Sequence, residues 1–238
     1  MNADEYTHSI PLHRFGLIEY LTAFDWQRSR AESVREGRSS ECLALLEHPP
    51  VYTMGARGGR KNLLAPSELL EARGARVVDV DRGGDITFHG PGQLIAYPIL
   101  NIRKRRIPPT DYVRSLESTL ITTLDSFGID GRRVRGKPGI WVGGAKIAAV
   151  GVRIQRGVTS HGIALNVSTD LSWFEAIVPC GLPDAPVVSM GSLTGVTPAM
   201  REVEDAFTAA FSEHFQVDLV EAAHNAESLI QAGVGNGR

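Results

Sequence analysis

The feature that most constrains the fold is a glycine-rich stretch, Arg82 to Gln93, which lies between two apolar runs. Four of its twelve residues are glycine, and it also carries an arginine, a histidine and a glutamine. Gly83-Gly84 predicts a tight hairpin turn between extended segments, because glycine tolerates positive φ. Gly90-Pro91-Gly92 predicts a second turn. Bare backbone at both turns would let a ligand lie close to the main chain, framed by Arg82 and His89.

Two common nucleotide-binding motifs do not fit this stretch. It contains no Gly-Lys-Ser/Thr sequence of a phosphate-binding loop, and no glycine fingerprint opens a helix after a first strand. Taken alone, the stretch is also compatible with two ordinary turns and a structural histidine.

Composition predicts a folded domain without a membrane or nucleic-acid partner. The chain has 238 residues, of which 42% are hydrophobic and 22% charged, enough to bury a sizeable core. Its net charge of −2 gives no reason to expect nucleic acid, and no run approaches the roughly 20 apolar residues of a membrane span. The polar N-terminus does not resemble a signal peptide, and two cysteines make no disulfide framework. We therefore expect a cytoplasmic protein, and a monomer by default.

Hydrophobic periodicity predicts helices and strands that do not alternate strictly. Helices are predicted over residues 17–35, 67–73, 110–128 and 171–177, and from Pro198 onward. Strands are predicted at 42–46, 51–54, 94–100, 163–167 and 217–220, with a hairpin of 139–142 and 146–154. Ser160-His161-Gly162 is predicted to be a turn. The order indicates an α+β fold with a mixed sheet and flanking helices. One domain is expected over residues 12–220, between an irregular tail at 1–11 and a weakly ordered tail at 221–238.

The two cysteines lie in contrasting sequence contexts. Cys42 opens an apolar run and is predicted to be an inert core residue, whereas Cys180 lies between Pro179 and Gly181 in an irregular loop. Because an exposed loop cysteine is an unusual packing residue, Cys180 is a candidate nucleophile, although a bystander role stays open.

Lys146 is the lysine whose surroundings differ most from those of a solvated side chain. Of the four lysines in the chain, it alone is followed by a run of small and apolar residues, Ile147 to Gly151. A lysine held over such a surface loses hydration, so its pKa falls and it can act as a base. If it meets Cys180, its ammonium would lower the pKa of the thiol. A solvated lysine at a hairpin end is the alternative.

The densest run of positive charge is Arg103-Lys104-Arg105-Arg106. Such a run is either a solvated loop or a docking patch for an acidic protein. The histidines lack metal-ligand spacing and the cysteines lie far apart, so no metal site is expected.

Several motifs together resemble the octanoyltransferase family, also called lipoyl(octanoyl) transferases or lipoate-protein ligase B. The matching segments occur in family order over roughly residues 12–215: Leu46-Glu47-His48-Pro49-Pro50-Val51-Tyr52-Thr53, Asp81-Arg82-Gly83-Gly84, Thr87-Phe88-His89-Gly90-Pro91-Gly92-Gln93-Leu94, Gly139-Ile140-Trp141-Val142, Lys146-Ile147-Ala148-Ala149-Val150-Gly151-Val152, His161-Gly162-Ile163-Ala164-Leu165-Asn166 and Ile177-Val178-Pro179-Cys180-Gly181. Each segment alone is weak, but together they are specific.

The resemblance implies a fold, an activity and a site. The fold would resemble the catalytic domain of biotin and lipoate protein ligases. The enzyme would move an octanoyl group from octanoyl-acyl carrier protein to a lysine of lipoyl domains, such as those of 2-oxoacid dehydrogenase complexes and the glycine cleavage H protein. Cys180 would carry the thioester with Lys146 as its partner, without a cofactor, and His161 is a candidate supporting residue. The acyl group would be held by Arg82, Gly83, Gly84, Asp85, Ile86, Thr87, Phe88, His89, Ala149, Val150, Gly151, Gly162, Ile163 and Ala164.

Two other functions stay open at this point. One is an ATP-dependent ligase of the same fold, although such an enzyme needs no loop cysteine and the chain offers no clear adenylate-binding lysine besides Lys146. The other is a non-catalytic module that binds acyl carrier protein or lipoyl domains.

Overall fold

The computed structural model describes residues 9–56, 58–178 and 186–222. In chain order the strands are β1 (Ser9–Leu17), β2 (Cys42–Glu47), β3 (Val51–Met54), β4 (Arg76–Asp79), β5 (Ile86–His89), β6 (Gln93–Ile99), β7 (Arg132–Val134), β8 (Lys137–Val142), β9 (Ala145–Gln155), β10 (Val158–Asn166) and β11 (Asp218–Glu221). The helices are α1 (Tyr20–Arg35), α2 (Ser67–Ala72), α3 (Pro109–Asp125), α4 (Met190–Thr194) and α5 (Met200–Phe215), with 3₁₀ turns at Arg60–Asn62 and Leu171–Ala176.

The described strands form two sheets. The large sheet has the order β11-β1-β2-β6-β10-β9-β8-β7, and the small sheet has the order β4-β3-β5. Strand β1 runs parallel to both β2 and β11, whereas the pairs from β2 to β7 are antiparallel. The predicted α+β fold with a mixed sheet is therefore confirmed.

The two faces of the large sheet are covered differently. Helices α3 and α5 pack on one face, where Leu116, Leu120, Phe207 and Phe211 are fully buried in the main core. Helix α1 lies on the other face, where Ala23 packs beside residues of β2 and β6. The small sheet lies beside α1, since the rings of Tyr20 and His89 stack at 6.2 Å. The space between the small sheet and the large one is where the site forms.

The N-terminal segment corrects two predictions. Strand β1 begins at Ser9, inside the expected irregular tail, and Leu17 ends this strand rather than beginning a helix; α1 begins at Tyr20. Leu17 is mostly exposed, so its apolar character did not reflect a helical core position. Pairing with β2 and β11, both distant in sequence, makes this segment a strand.

The hairpin predicted around Gly83-Gly84 is wrong. Strands β4 and β5 do not pair with each other, because β3 lies between them, parallel to β4 and antiparallel to β5. Gly84 does adopt a φ of +92°, as the turn prediction requires. The segment is a loop that leaves the small sheet and returns to it.

The predicted turn at Ser160-His161-Gly162 is also wrong, because all three residues lie within β10. Smaller corrections concern helix starts: α3 begins at Pro109 rather than after Thr110, and α5 begins at Met200 rather than Pro198. Helix α4 and strand β7 were not predicted. The remaining predicted strands and the 171–177 helical turn are confirmed.

Candidate active site

A cavity with an empty volume of about 490 Å³, part of it open to solvent, lies between α1, the small sheet and the large sheet. It is lined by Tyr20, Arg82, Gly83, Gly84, Asp85, Thr87, His89, Ile95, Tyr97, Ala149, Val150, Gly151, His161, Gly162, Ile163 and Ala164. Most of the residues that the family resemblance implies for the acyl site thus surround one cavity, together with His161.

Two of those residues lie elsewhere. Ile86 and Phe88 are buried in the core of the small sheet, with Tyr52 and Leu70. The reason is the alternation of a strand, since Thr87 and His89 point to the opposite face of β5. Ile86 and Phe88 therefore support the cavity wall without lining it.

Three lining residues were not predicted from the sequence: Tyr20, Ile95 and Tyr97. Ile95 and Tyr97 are alternate residues of β6, so strand periodicity applied to the segment after Gln93 would have placed them on one face. Tyr20 comes from the start of α1, and no local pattern relates it to the other lining residues.

Glycines allow the backbone segments around the cavity to approach one another. A Cβ on Gly162 would lie 2.0 Å from the carbonyl oxygen of Ala96 on β6, so only glycine fits there. A Cβ on Gly151 would lie 3.2 Å from the carbonyl oxygen of Gly83. The loop is fixed to β9, because the Gly83 N–H donates to the carbonyl oxygen of Val152 at 3.0 Å.

The guanidinium of Arg82 is buried at the cavity wall. Its Nη2 donates to the carbonyl oxygen of Thr53 at 2.6 Å and to Thr53 Oγ1 at 2.8 Å, and its Nη1 donates to the carbonyl oxygen of Gly83 at 3.0 Å. These contacts fix the side chain between β3 and its own loop. A fixed positive charge therefore lies beside a largely apolar space.

His89 is held as a neutral imidazole of one tautomer by a chain of hydrogen bonds. The amide nitrogen of Gln93 donates to Asn166 Oδ1 at 2.9 Å, so Gln93 Oε1 is free to accept from His89 Nδ1–H at 2.8 Å. Its Nε2 then accepts from the Thr53 hydroxyl at 3.3 Å. Burial, and after it the neighbouring His48 and Arg82, hold the pKa of His89 well below its ordinary value.

His48 forms a second buried pair with Tyr97. Its Nδ1–H donates to the carbonyl oxygen of Ile18 at 2.7 Å, and its Nε2 accepts from the Tyr97 hydroxyl at 2.8 Å. Burial lowers the pKa of His48 to about 4, so this imidazole is also neutral. The β1–α1 and β2–β3 connections are thereby joined to β6 behind the cavity.

His161 lies in a strained backbone position inside β10, with a φ of +57°. Its Nε2–H donates to Asp81 Oδ1 at 2.8 Å, and the other oxygen of Asp81 pairs with Arg153. Burial and then the positive charges of Arg82 and Arg153 lower the pKa of His161 to about 3. A neutral imidazole thus donates to a carboxylate whose charge Arg153 already compensates.

Lys146 borders a second cavity, which shares Thr87, Ala149 and Ala164 with the first. Its Nζ lies 5.5 Å from the centre of the Trp141 ring, within cation–π distance. A Cβ on Gly139 would lie 2.9 Å from Lys146 Cε, so the lysine stem packs against bare backbone. The lysine is 7% exposed and is no solvated hairpin lysine.

The backbone of Lys146 pairs with the segment that follows residue 185. Its N–H donates to the carbonyl oxygen of Pro186 at 2.7 Å, and its own carbonyl oxygen accepts from the Val188 N–H at 3.0 Å. Asn166 Nδ2 donates to the carbonyl oxygen of Val188 at 3.1 Å. The predicted nucleophile Cys180 lies outside the described residues.

The other cysteine fits its prediction as an inert core residue. Cys42 is completely buried, and this burial raises the pKa of its thiol to about 12.

The described residues contain no group of three or more histidine, cysteine or acidic side chains that could hold a metal ion. In the same part of the chain, no helix has the length and apolar character to cross a membrane.

Comparison with known proteins decides the family. A family model described as the lipoyl protein ligase A/B catalytic domain matches residues 19–212. An octanoyltransferase of Solibacter usitatus is 47% identical over 89% of this chain and 96% of the relative. One of Chloroflexus aurantiacus is 43% identical over 88% and 96%. The chain belongs to the octanoyltransferase family. As an octanoyltransferase, it acts in octanoyl transfer for protein lipoylation, with a protein as acceptor.

Solved structures show the same fold at low identity. A lipoate-protein ligase A bound with ATP is 18% identical, with a TM-score of 0.76, over 94% of this octanoyltransferase and 93% of that chain. A bi-partite lipoate protein ligase of Thermoplasma acidophilum, solved in work on that ligase and its E2 lipoyl domain, is also 18% identical, with a TM-score of 0.64 over 93% and 91%. The predicted likeness to lipoate ligases is confirmed for the fold.

Proposed function

We propose that Cys180 takes an octanoyl group from octanoyl-acyl carrier protein and passes it to a lysine of a lipoyl domain. Acceptors of this kind are the lipoyl domains of 2-oxoacid dehydrogenase complexes and the glycine cleavage H protein. Lys146 is the acid of the first step and the base of the second. The supporting observation is that the Lys146 cavity shares Thr87, Ala149 and Ala164 with the larger, mainly apolar cavity.

This arrangement gives the acyl chain a place relative to its carbonyl. The carbonyl carbon lies near Lys146, and the tail extends along β9 past Ala149 to Gly151. The stretch from Lys146 to Gly151 is roughly 17 Å long at 3.4 Å per residue. This length is enough for an extended eight-carbon chain. Each methylene that it buries contributes about 0.8 kcal/mol. The apolar walls therefore supply binding energy and a limit on chain length.

In the first step the Cys180 thiolate attacks the carbonyl carbon of the donor thioester. The new S–C bond forms, the donor S–C bond breaks, and the Lys146 ammonium gives a proton to the departing thiolate. Exchange of one thioester for another is nearly balanced in energy. No ATP is consumed, because the donor thioester is already activated.

In the second step the acceptor lysine attacks the acyl-enzyme. A C–N bond forms, the bond between the acyl carbon and Cys180 breaks, and neutral Lys146 removes the proton of the attacking amine. The thiolate and the ammonium are then restored. Formation of an amide from a thioester makes this step the downhill one.

The test is the intact mass of the protein after incubation with octanoyl-acyl carrier protein alone. We expect one hydroxylamine-sensitive adduct of octanoyl mass, which is absent in Cys180→Ala and present in Cys42→Ala. Normal transfer by Cys180→Ala would exclude the covalent mechanism. Transfer that needs free octanoate and ATP would indicate a ligase, and binding without any transfer would indicate a non-catalytic module.

A further inference from the structure

Positive charge is concentrated on the β7–β8 hairpin at the edge of the large sheet. Arg132, Arg133, Arg135 and Lys137 lie within six residues, in a chain whose net charge is −2. All four are exposed. A two-residue turn, Arg135-Gly136, joins the strands, so these side chains project from a short and well-defined element.

A row of side chains across the sheet connects the hairpin to Lys146. Arg132 lies opposite Trp141, and Trp141 lies opposite Lys146, so the three side chains form a row on one face across β7, β8 and β9. Lys137 Nζ lies 5.3 Å from the centre of the Trp141 ring, and Lys146 Nζ lies 5.5 Å from the same centre. The ammonium groups of Lys137 and of the proposed catalytic lysine therefore lie near the same indole ring.

The charges of this hairpin are only partly compensated. Arg132 pairs with Asp130, and Arg133 pairs with Glu117 on α3. Among the described residues, no carboxylate forms a salt bridge with Arg135 or Lys137. These two side chains leave an exposed, uncompensated positive charge at the tip of the hairpin.

The other basic run, Arg103 to Arg106, lies at the far end of the sheet. Asn101, just before this run, forms a β-bridge with Val158 at the start of β10. Ala148, two residues from Lys146, pairs with Leu165 near the end of β10. The eight residues from Val158 to Leu165 span roughly 24 Å at 3.4 Å per step. In addition, the guanidinium of Arg105 donates to Glu41, so one charge of this run is already compensated.

We propose that the tip of the β7–β8 hairpin, Arg135 and Lys137, is the docking surface for the donor, an acidic carrier domain that presents the octanoyl group as a thioester. The inference rests on the proposed function of Cys180 and Lys146. Val134 is the one large apolar side chain exposed on the hairpin, so the surface lacks the aromatic and apolar anchors of a position-specific interface. Flexible charges without anchors suit a transient, electrostatically steered encounter. A lipoyl domain is the alternative occupant, which the experiment tests through its KM.

The experiment compares two charge-reversal variants of the full chain. Arg135→Glu/Lys137→Glu alters the hairpin, and Arg103→Glu/Lys104→Glu makes the same charge change at the far end of the sheet. Each is assayed with octanoyl-acyl carrier protein and with octanoyl-N-acetylcysteamine, a small thioester without a protein, over a range of salt. Wild-type acyl-enzyme formation from both donors is measured first, because its absence would contradict the proposed function and not the docking surface.

The hairpin variant should lose about tenfold in kcat/KM with the carrier donor at low salt, and less at high salt. Its rate with the small thioester and its KM for the lipoyl domain should match wild type, and the control variant should match wild type throughout. Equal losses with both donors would show a structural effect and overturn the proposal. So would a loss confined to the KM for the lipoyl domain, a larger loss in the control variant, or no loss at all.

Discussion

Trp141 lies directly opposite Lys146 on the neighbouring strand, with the Lys146 Nζ 5.5 Å from the centre of its indole ring. A cation over an indole ring is stabilised by about 0.5–2 kcal/mol, with the larger values at desolvated sites. Gly139 on the same strand leaves room for the lysine stem. Two residues of β8, Trp141 and Gly139, thus position the Lys146 side chain.

Replacement of Trp141 should therefore slow transfer. We expect Trp141→Leu to reduce the single-turnover rate about two- to thirtyfold, which corresponds to 0.5–2 kcal/mol. Trp141→Tyr should lose less, because it keeps a ring face. Trp173→Leu is the control, since Trp173 stacks on Phe88 in the core of the small sheet. Equal rate losses at both tryptophans would argue against a specific role for the contact with Lys146.

Substitutions of Lys146 itself separate its charge from its basicity. Lys146→Ala should raise the pKa of the Cys180 thiol toward the ordinary value near 8.5 and impair transfer to the acceptor. Lys146→Arg should form acyl-enzyme faster than Lys146→Ala, because arginine keeps the charge, yet hardly turn over, because arginine stays protonated. The thiol is titrated by alkylation rate against pH in a Cys42→Ala background. If both Lys146 variants stay active and the pKa of the Cys180 thiol does not change, Lys146 has no part in the mechanism.

Ala164 should set the acyl-chain length, because it lines both cavities. Ala164→Leu is expected to shorten the preferred chain, with a loss of about fourfold in kcat/KM for each excluded methylene, equivalent to 0.8 kcal/mol. The measurement is kcat/KM with hexanoyl and octanoyl thioesters. Ala164→Gly is the control and should not shift preference toward hexanoyl. An unchanged ratio in Ala164→Leu would place the chain elsewhere.

Acid should destabilise the fold through its buried histidines. The pKa values of His48 and His161, about 4 and about 3, lie below the value near 6.5 expected in the unfolded chain. Below pH 6.5 the unfolded state therefore binds more protons, and each histidine lowers the free energy of unfolding by up to about 1.4 kcal/mol per pH unit. Urea denaturation from pH 7 to pH 4 measures this slope. His48→Asn should reduce the slope, and an identical slope would contradict the assignment.

Loss of the Gln93 amide should destabilise the site. Gln93→Leu removes the hydrogen-bond partners of buried His89 Nδ1 and Asn166 Oδ1, which costs about 1–3 kcal/mol for each unsatisfied group. Urea denaturation provides the measurement. Gln155→Leu, at the exposed end of β9, is the matched control and should change stability little. A similar effect of the two substitutions would show that the buried network contributes nothing.

Local sequence patterns predicted correctly those strands and turns that depend on neighbouring residues. The apolar run at Cys42 predicted a buried strand, and the Gly143-Gly144 turn predicted the β8–β9 hairpin, because two glycines with positive φ determine such a turn. The motifs around His89, Lys146 and Gly162 also predicted the family, and with it most of the residues that surround the cavity.

The sequence could not predict pairings between distant segments. Strand β3 separates β4 from β5, and β1 is a strand because β2 and β11 lie beside it. Hydrogen bonds to partners far along the chain outweigh local turn preference in such segments. His161 and Gly162 lie in a strand although their local sequence predicts a turn, because they pair with Val152 and Gly151 of β9.

The sequence by itself determined the family, the mixed α+β fold and the chemical groups that the site contains. Only the tertiary structure decided which of them share a space: Thr87 and His89 face the cavity while Ile86 and Phe88 do not, and Gln93 connects His89 to Asn166. The physical reason is that the cavity walls and the neutral histidine tautomers arise from contacts between segments distant in sequence. Residue identity supplies the donors and acceptors, and strand register determines which of them meet.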